Sequence, residues 1–247
     1  MVESIRVLIW NEFRHERQQE KVRSVYPDGL HQAIGGQIAA PDLSIAYATL
    51  DEPEHGLTEE RLAQTDVLLW WGHCAHAEVQ DEIVERVQRR VLAGMGLIVL
   101  HSGHFAKIFK KLMGTDCSLL WRHCAEKERV WTVSPGHPIA KDVPESFVIP
   151  HSEMYGEHFG IPQDGEIIFI SWYEGGNVFR SGVSFLRGAG RIFYFAPGHE
   201  TYPIYYDPVV SRIIRNAVRW AAPSHFLAPR TTHTPVAVEE IRSSAVN

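Results

Sequence analysis

The chain has 247 residues, 45% of them hydrophobic, with 24 Lys and Arg against 30 Asp and Glu for a formal net charge of −6. Length and apolar content suit one large domain with a sizeable core, and mild acidity without a basic stripe excludes an electrostatic nucleic-acid binder. Residues 1–10 carry Glu3 and Arg6 and enter a strand pattern at once, so no signal peptide is expected. Apolar runs such as residues 67–71 are too short to cross a bilayer, and three cysteines without paired spacing suit a reducing, cytoplasmic setting.

Residues 5–10 (IRVLIW) form a branched, apolar run that predicts a first buried strand. A long helix is expected next, to about Ala33, stopped by Gly35-Gly36. Residues 43–50 predict a second strand. Thr58 opens a short helix with Glu59 and Glu60 in its first turn, where the helix dipole favours acids. Residues 67–71 (VLLWW) predict the third strand. Over residues 78–92, Val79, Ile83, Val87 and Val91 mark one helical face. Residues 97–101 predict a fourth strand, and residues 103–112 a helix.

This alternation implies an α/β fold of flavodoxin-like type, a mainly parallel sheet with helices on both faces. The second half adds strands expected to be antiparallel, at residues 130–133, 147–149, 167–172, 178–186 and 191–196, with a hairpin at residues 187–190. Residues 208–221 predict a closing amphipathic helix. Residues 1–222 thus read as a single domain. Residues 223–247, punctuated by Pro223, Pro229 and Pro235, read as a tail that drapes over its own domain or over a neighbouring subunit in a homo-oligomer.

Histidine is the unusual component, with 14 residues. In an open parallel sheet, ligands bind beyond the carboxyl ends of the strands. There the sequence places Glu12 and His15 after the first strand, His73, Cys74 and His76 after the third, His101, Ser102 and His104 after the fourth, and His199 and Glu200 after a late one. Residues 96–104 (GLIVLHSGH) have the strand–turn–helix context of a nucleophile elbow, but Leu100 and His104 flank Ser102 where a serine hydrolase needs glycines. The elbow then presents His101; the plainer alternative is Ser102 as a helix cap and His101 as a buried, hydrogen-bonded residue. His199 beside Glu200 suits a general acid–base pair. The pairs His73/His76 and His101/His104, with Glu12 or His15, suit a zinc-like ion, without the specificity of an HExxH motif. Residues 150–160 hold Glu153 and Tyr155, suited to sugar hydroxyls or a metal, or else form a solvated loop. Of Trp70, Trp71, Trp121, Trp131 and Trp172, all candidates for stacking on sugar rings, Trp70 and Trp131 read as core.

The strings DVLLWWGH (66–73), GMGLIVLHS (94–102), RSG (180–182), FYFAPGHE (193–200) and NAVRW (216–220) resemble the trehalose-utilisation (ThuA-like) family over residues 5–222. The resemblance implies a fold like that of class I glutamine amidotransferases. In those enzymes the elbow holds a cysteine and a His-x-Glu segment supplies the base. Here His101 takes the cysteine's place and Glu200 directly follows His199, so glutaminase activity does not carry over. The resemblance further implies a role in disaccharide catabolism with a keto-disaccharide as substrate, no nucleotide cofactor, and isomerisation by proton abstraction beside a carbonyl. His101, Ser102, Glu153, His199 and Glu200 would form the catalytic set and Glu12, His15, His73, His76 and His104 the metal set. A non-catalytic sugar-binding or regulatory domain and a metal-dependent hydrolase remain the alternatives.

Overall fold

The computed structural model describes residues 4–228 and 233–240. In chain order the elements are β1 Ile5–Asn11, α1 His15–Gln18, α2 Glu20–Val25, α3 Leu30–Ile38, β2 Leu43–Thr49, α4 Glu59–Ala63, β3 Val67–Trp71, α5 Asp81–Leu92, β4 Gly96–Leu100, α6 Lys107–Met113, β5 Leu120–Thr132, β6 Ser146–Gly156, β7 Glu166–Tyr173, β8 Val178–Arg187, β9 Gly190–Phe195 and α7 Pro208–Ala221. The nine strands form one sheet in the order β2-β1-β3-β4-β9-β8-β7-β5-β6. Pairings from β2 across to β9 are parallel, and those from β9 across to β6 are antiparallel. The fold is therefore a mixed α/β sheet whose first half is parallel. The direction of strand addition reverses at β1/β3, which opens a crevice at the carboxyl ends.

Period-two alternation distributes β1, β3 and β4 between two cores. Leu8, Trp10, Leu68, Trp70, Leu97 and Val99 pack with Ile83 and Val87 of α5 and Ile108 and Phe109 of α6. Val7, Ile9, Leu69, Trp71, Ile98 and Leu100 pack with Leu30 and Ile34 of α3 and Ile213, Ile214 and Ala217 of α7. Helices thus cover both faces of the parallel half. Two caps fix helix starts: Thr58 accepts from Arg61 N, and Asp207 accepts from Val209 N and Val210 N.

Four expectations need correction. The long first helix is three short ones, interrupted at Gln19 and at residues 26–29, and the last of them runs through Gly35-Gly36. Gly35 is there for packing, since a Cβ would collide with the Tyr47 ring. The helix after β4 begins only at Lys107, after a 3-10 turn over His101–Phe105. The segments expected at 130–133 and 147–149 are only the apolar ends of long strands, β5 and β6, so Glu153 and Tyr155 lie on a strand and not in a solvated loop. Trp131, read as core, is 42% exposed, whereas Trp70 is buried. The described tail begins on its own domain: Leu227 N donates to Ala93 O at 2.8 Å, and the Arg90 guanidinium lies 4.4 Å from the Phe226 ring centre. Residues 229–232 and 241–247 lie outside the described residues.

Candidate functional site

Each strand end delivers its side chain through a local device. Past β1, Glu12 grips the loop that follows β3: Oε1 accepts from Cys74 N at 2.9 Å and Oε2 from Ala75 N at 3.0 Å. Burial alone would raise its pKa, but the amides of Cys74, Ala75 and His73 outweigh burial and lower it. The result is a fixed loop carrying His73. Past β4, His101 takes a left-handed backbone, φ 49°, which a non-glycine residue rarely adopts. A hydrogen bond from its Nδ1 to Ala196 O at 2.8 Å holds it there. Past β9, Gly198 turns the chain at φ 150°, where a Cβ would collide with the Tyr205 hydroxyl, and His199 and Glu200 follow. β6 supplies Glu153 from the antiparallel half.

These side chains converge. Ligand atoms of His73, His101, Glu153 and His199 all lie within 4.8 Å of one another, and so do those of His15, His73 and Glu200. Glu153 Oε2 is 3.3 Å from His101 Nε2, and its Oε1 is 3.7 Å from His199 Nε2. Glu200 Oε1 is 2.9 Å from His15 Nδ1, and its Oε2 is 3.9 Å from His73 Nε2 and 3.6 Å from His199 Nδ1.

Burial pushes the His199 imidazole down to about 3, with the charge of His101 adding to it. It pushes His104 and His76 down to about 4 and lowers His73 as well. Burial also acts on His101 and His15, but the contact and charge of Glu153 on the first, and of Glu200 on the second, prevail and raise both. Burial opposes ionisation of Glu153, yet His101 and the neighbouring rings bring it down to about 2; Glu200 is lowered likewise, chiefly by His15.

The chemistry of the donors tests whether a metal ion fits. A carbonyl oxygen only accepts, so His101 carries a proton on Nδ1 and turns Nε2 toward the Glu153 carboxylate. At 3.3 Å from the carboxylate, Nε2 either carries the proton that the raised His101 pKa describes or gives its lone pair to a cation that the two groups share. Tetrahedral coordination with bonds of about 2.0–2.1 Å spaces ligand atoms about 3.3–3.4 Å apart, close to the separations around Glu153. The carbonyl behind His101 is the outer partner that metal-bound histidines use. The group fits a divalent ion that accepts nitrogen and oxygen ligands.

His73 and Glu153 also line a cavity of about 320 Å³, together with Ser102, Tyr155, His76 and His104. Ser102 Oγ lies 2.7 Å from the Tyr155 hydroxyl, which is itself 3.3 Å from His101 Nε2. At the rim stand Trp121, 67% exposed, and Phe105, 46% exposed.

Of the residues expected in the metal set, His15 and His73 join donor groups. His76 and His104 line the cavity outside both groups, and Glu12 is occupied by backbone amides. His104 Nδ1 bonds Cys117 O at 2.7 Å. Of the expected catalytic set, His101, Glu153, His199 and Glu200 are donor-group members, and Ser102 lines the cavity. Sequence reasoning missed His123, whose Nδ1 is 3.8 Å from Glu153 Oε1 and whose ring centre is 4.6 Å from that of His199. It also missed Thr201, whose hydroxyl lies 2.9 Å from His199 Nδ1. His123 sits where β5 loses register with β6, so no alternation marked it. Cys74 offers no nucleophile: burial and its contact with Glu12 push its thiol up to about 12.

Comparison with known proteins agrees with this architecture. A ThuA-like protein of Bacteroides uniformis is 16% identical, with 89% of this chain and 91% of that one covered at a TM-score of 0.64. One from Parabacteroides merdae is 15% identical, with 93% and 94% covered at 0.64. A glutamine amidotransferase of Thermotoga maritima is 12% identical, with 88% and 98% covered at 0.50, a likeness of fold alone. No curated protein matches. Residues 6–221 match the ThuA family, described as trehalose utilisation. The match spans β1 to the end of α7, taking in every strand end that supplies the donor groups, and this chain therefore belongs to the ThuA family of trehalose utilisation.

Proposed function

We propose that this chain is a cytoplasmic, zinc-type metalloenzyme of disaccharide use that isomerises a keto-sugar by moving a proton on carbon beside a carbonyl. The observation that carries the reading is the His101–Glu153 pair, a ring nitrogen facing a carboxylate at 3.3 Å at the edge of a cavity, with ligand atoms of His73 and His199 gathered around it. Family membership supports a sugar substrate. When bound, the ion supplies positive charge to the oxygen that turns negative as the proton leaves carbon. Burial keeps His104 neutral near pH 7, and because its Nδ1 donates to Cys117 O, its Nε2 is the basic atom. Placed on the cavity wall, His104 takes the proton from the carbon next to the carbonyl and returns it to the former carbonyl carbon. The Tyr155–Ser102 hydroxyl pair exchanges the oxygen-bound proton. The carbonyl moves by one carbon with no net oxidation. His101, which the sequence suggested as a proton carrier, serves better as a ligand within the Glu153 group, while His199 accepts from Thr201 N on Nδ1 and so turns an Nε2 proton toward Glu153.

The test is incubation of protein purified without chelators with a 3-keto-disaccharide in heavy water. Stoichiometric metal and deuterium on the carbon beside the carbonyl are expected, with exchange lost in His104→Gln while metal is kept. Sugar binding without exchange in the wild type would replace this reading with a binding module.

A further inference from the structure

The second donor group is not explained by a single ion. Glu200 is 3% exposed, and its Oε2 has no hydrogen-bond partner among the described residues. His15 Nδ1 stands 2.9 Å from Glu200 Oε1 but off the hydrogen-bond line, and it too is buried without a hydrogen-bond partner. A buried carboxylate oxygen left without a donor is a costly arrangement, and each such group calls for an explanation. The third member, His73, presents Nε2 to the orphaned oxygen at 3.9 Å, and its ring centre lies 4.8 Å from that of His15. Separations of 2.9 and 3.9 Å are within what two ligands on one ion span when each bond is about 2.0–2.1 Å.

One imidazole nitrogen binds one ion, so His73 cannot complete both groups at once. Assigning it to the second group leaves His101, His199 and Glu153 in the first and His15, His73 and Glu200 in the second. The second is then a two-histidine, one-carboxylate set, which is the protein share of an open catalytic site.

We infer that the crevice holds two divalent cations, the second bound by His15, His73 and Glu200. This rests on the proposed reading of the first group as a cation site. Imidazole and carboxylate ligands favour zinc, manganese, iron or cobalt over calcium or magnesium. Paired ions clamp two oxygens of one substrate, which suits neighbouring carbonyl and hydroxyl groups on a sugar.

The experiment titrates chelator-stripped full-length protein with Co²⁺ alone, following visible absorption and bound metal after desalting. Two equivalents per chain are expected in the wild type. Glu200→Gln and His15→Gln should each bind one, and Glu153→Gln should also bind one, with a different absorption spectrum. A single equivalent in the wild type, lost in Glu153→Gln and kept in Glu200→Gln, would overturn the second position and leave the first standing. No bound cobalt in the wild type would overturn both. The wild-type stoichiometry decides the matter even if a variant fails to fold.

Discussion

His101 and Ala196 tie the turn after β4 to the end of β9: imidazole Nδ1 donates to the carbonyl at 2.8 Å. The bond fixes the tautomer and so decides which nitrogen faces Glu153. Removing the ring takes away both the link and a ligand. His101→Ala is expected to weaken divalent-metal affinity by at least about 100-fold, since loss of an outer partner alone typically costs about 10–100-fold. Competition against a chromophoric chelator measures this, and an unchanged affinity would show that His101 is not a ligand.

Glu12 acts one step further out. Glu12→Ala leaves the amides of Cys74 and Ala75 without their acceptor. Loss of stability of roughly 1–3 kcal/mol is expected from urea unfolding. Metal affinity should fall about 10-fold as the loop bearing His73 loosens. Glu12→Gln, which keeps one acceptor oxygen, should lie between wild type and Glu12→Ala on both scales.

Below pH 6.5 the metal-free protein should lose stability on acidification. His76 and His104 sit at about 4 in the fold against 6.5 for a free ring, and His199 at about 3. Below pH 6.5 the unfolded chain therefore binds more protons, and stability falls as pH drops through 4 toward 3. Glu153, lowered to about 2 from 4.5, gives stability that is complete above pH 4.5 and is lost as pH falls toward 2. Urea midpoints across pH 3–8 check this. His104→Gln should flatten the curve between pH 6.5 and 4, and a wild-type curve already flat there would contradict the burial assigned to these rings.

Trp121 is expected to bind ligand and not to stabilise the fold. At 67% exposure on the cavity rim, its replacement by Ala should leave the urea midpoint nearly unchanged. Loss of a stacked ring contact, about 0.5–1.5 kcal/mol, corresponds to roughly 2- to 12-fold weaker binding of a disaccharide. Calorimetry with trehalose tests it, and Trp121→Phe should recover most of the affinity.

Much of this molecule is legible in its sequence where burial writes a simple pattern. Residues 67–71 and 208–221 come out with the bounds they have in the fold, because one is an unbroken apolar run and the other a capped amphipathic helix. β5 is illegible before Val130: residues 120–125 are exposed, Ala125 has a positive φ, and register slips twice. That is why His123 escaped notice. The histidines at strand ends were visible as a set, since a parallel sheet gathers those ends on one side. Which of them converge was not, because that depends on ring orientation set by carbonyls as far off in sequence as Ala196.

The donor set spans the whole molecule, from His15 before α2 to Glu200 after β9, and Glu153 alone represents the antiparallel half. On a ribosome the chain emerges from its N-terminus, so His73 and His101 are present long before their partners. No nascent fragment shorter than about 200 residues can assemble the cluster, and contacts of such sequence separation form slowly. A metal ion held by the proposed groups would therefore be captured only after residue 200 has been made.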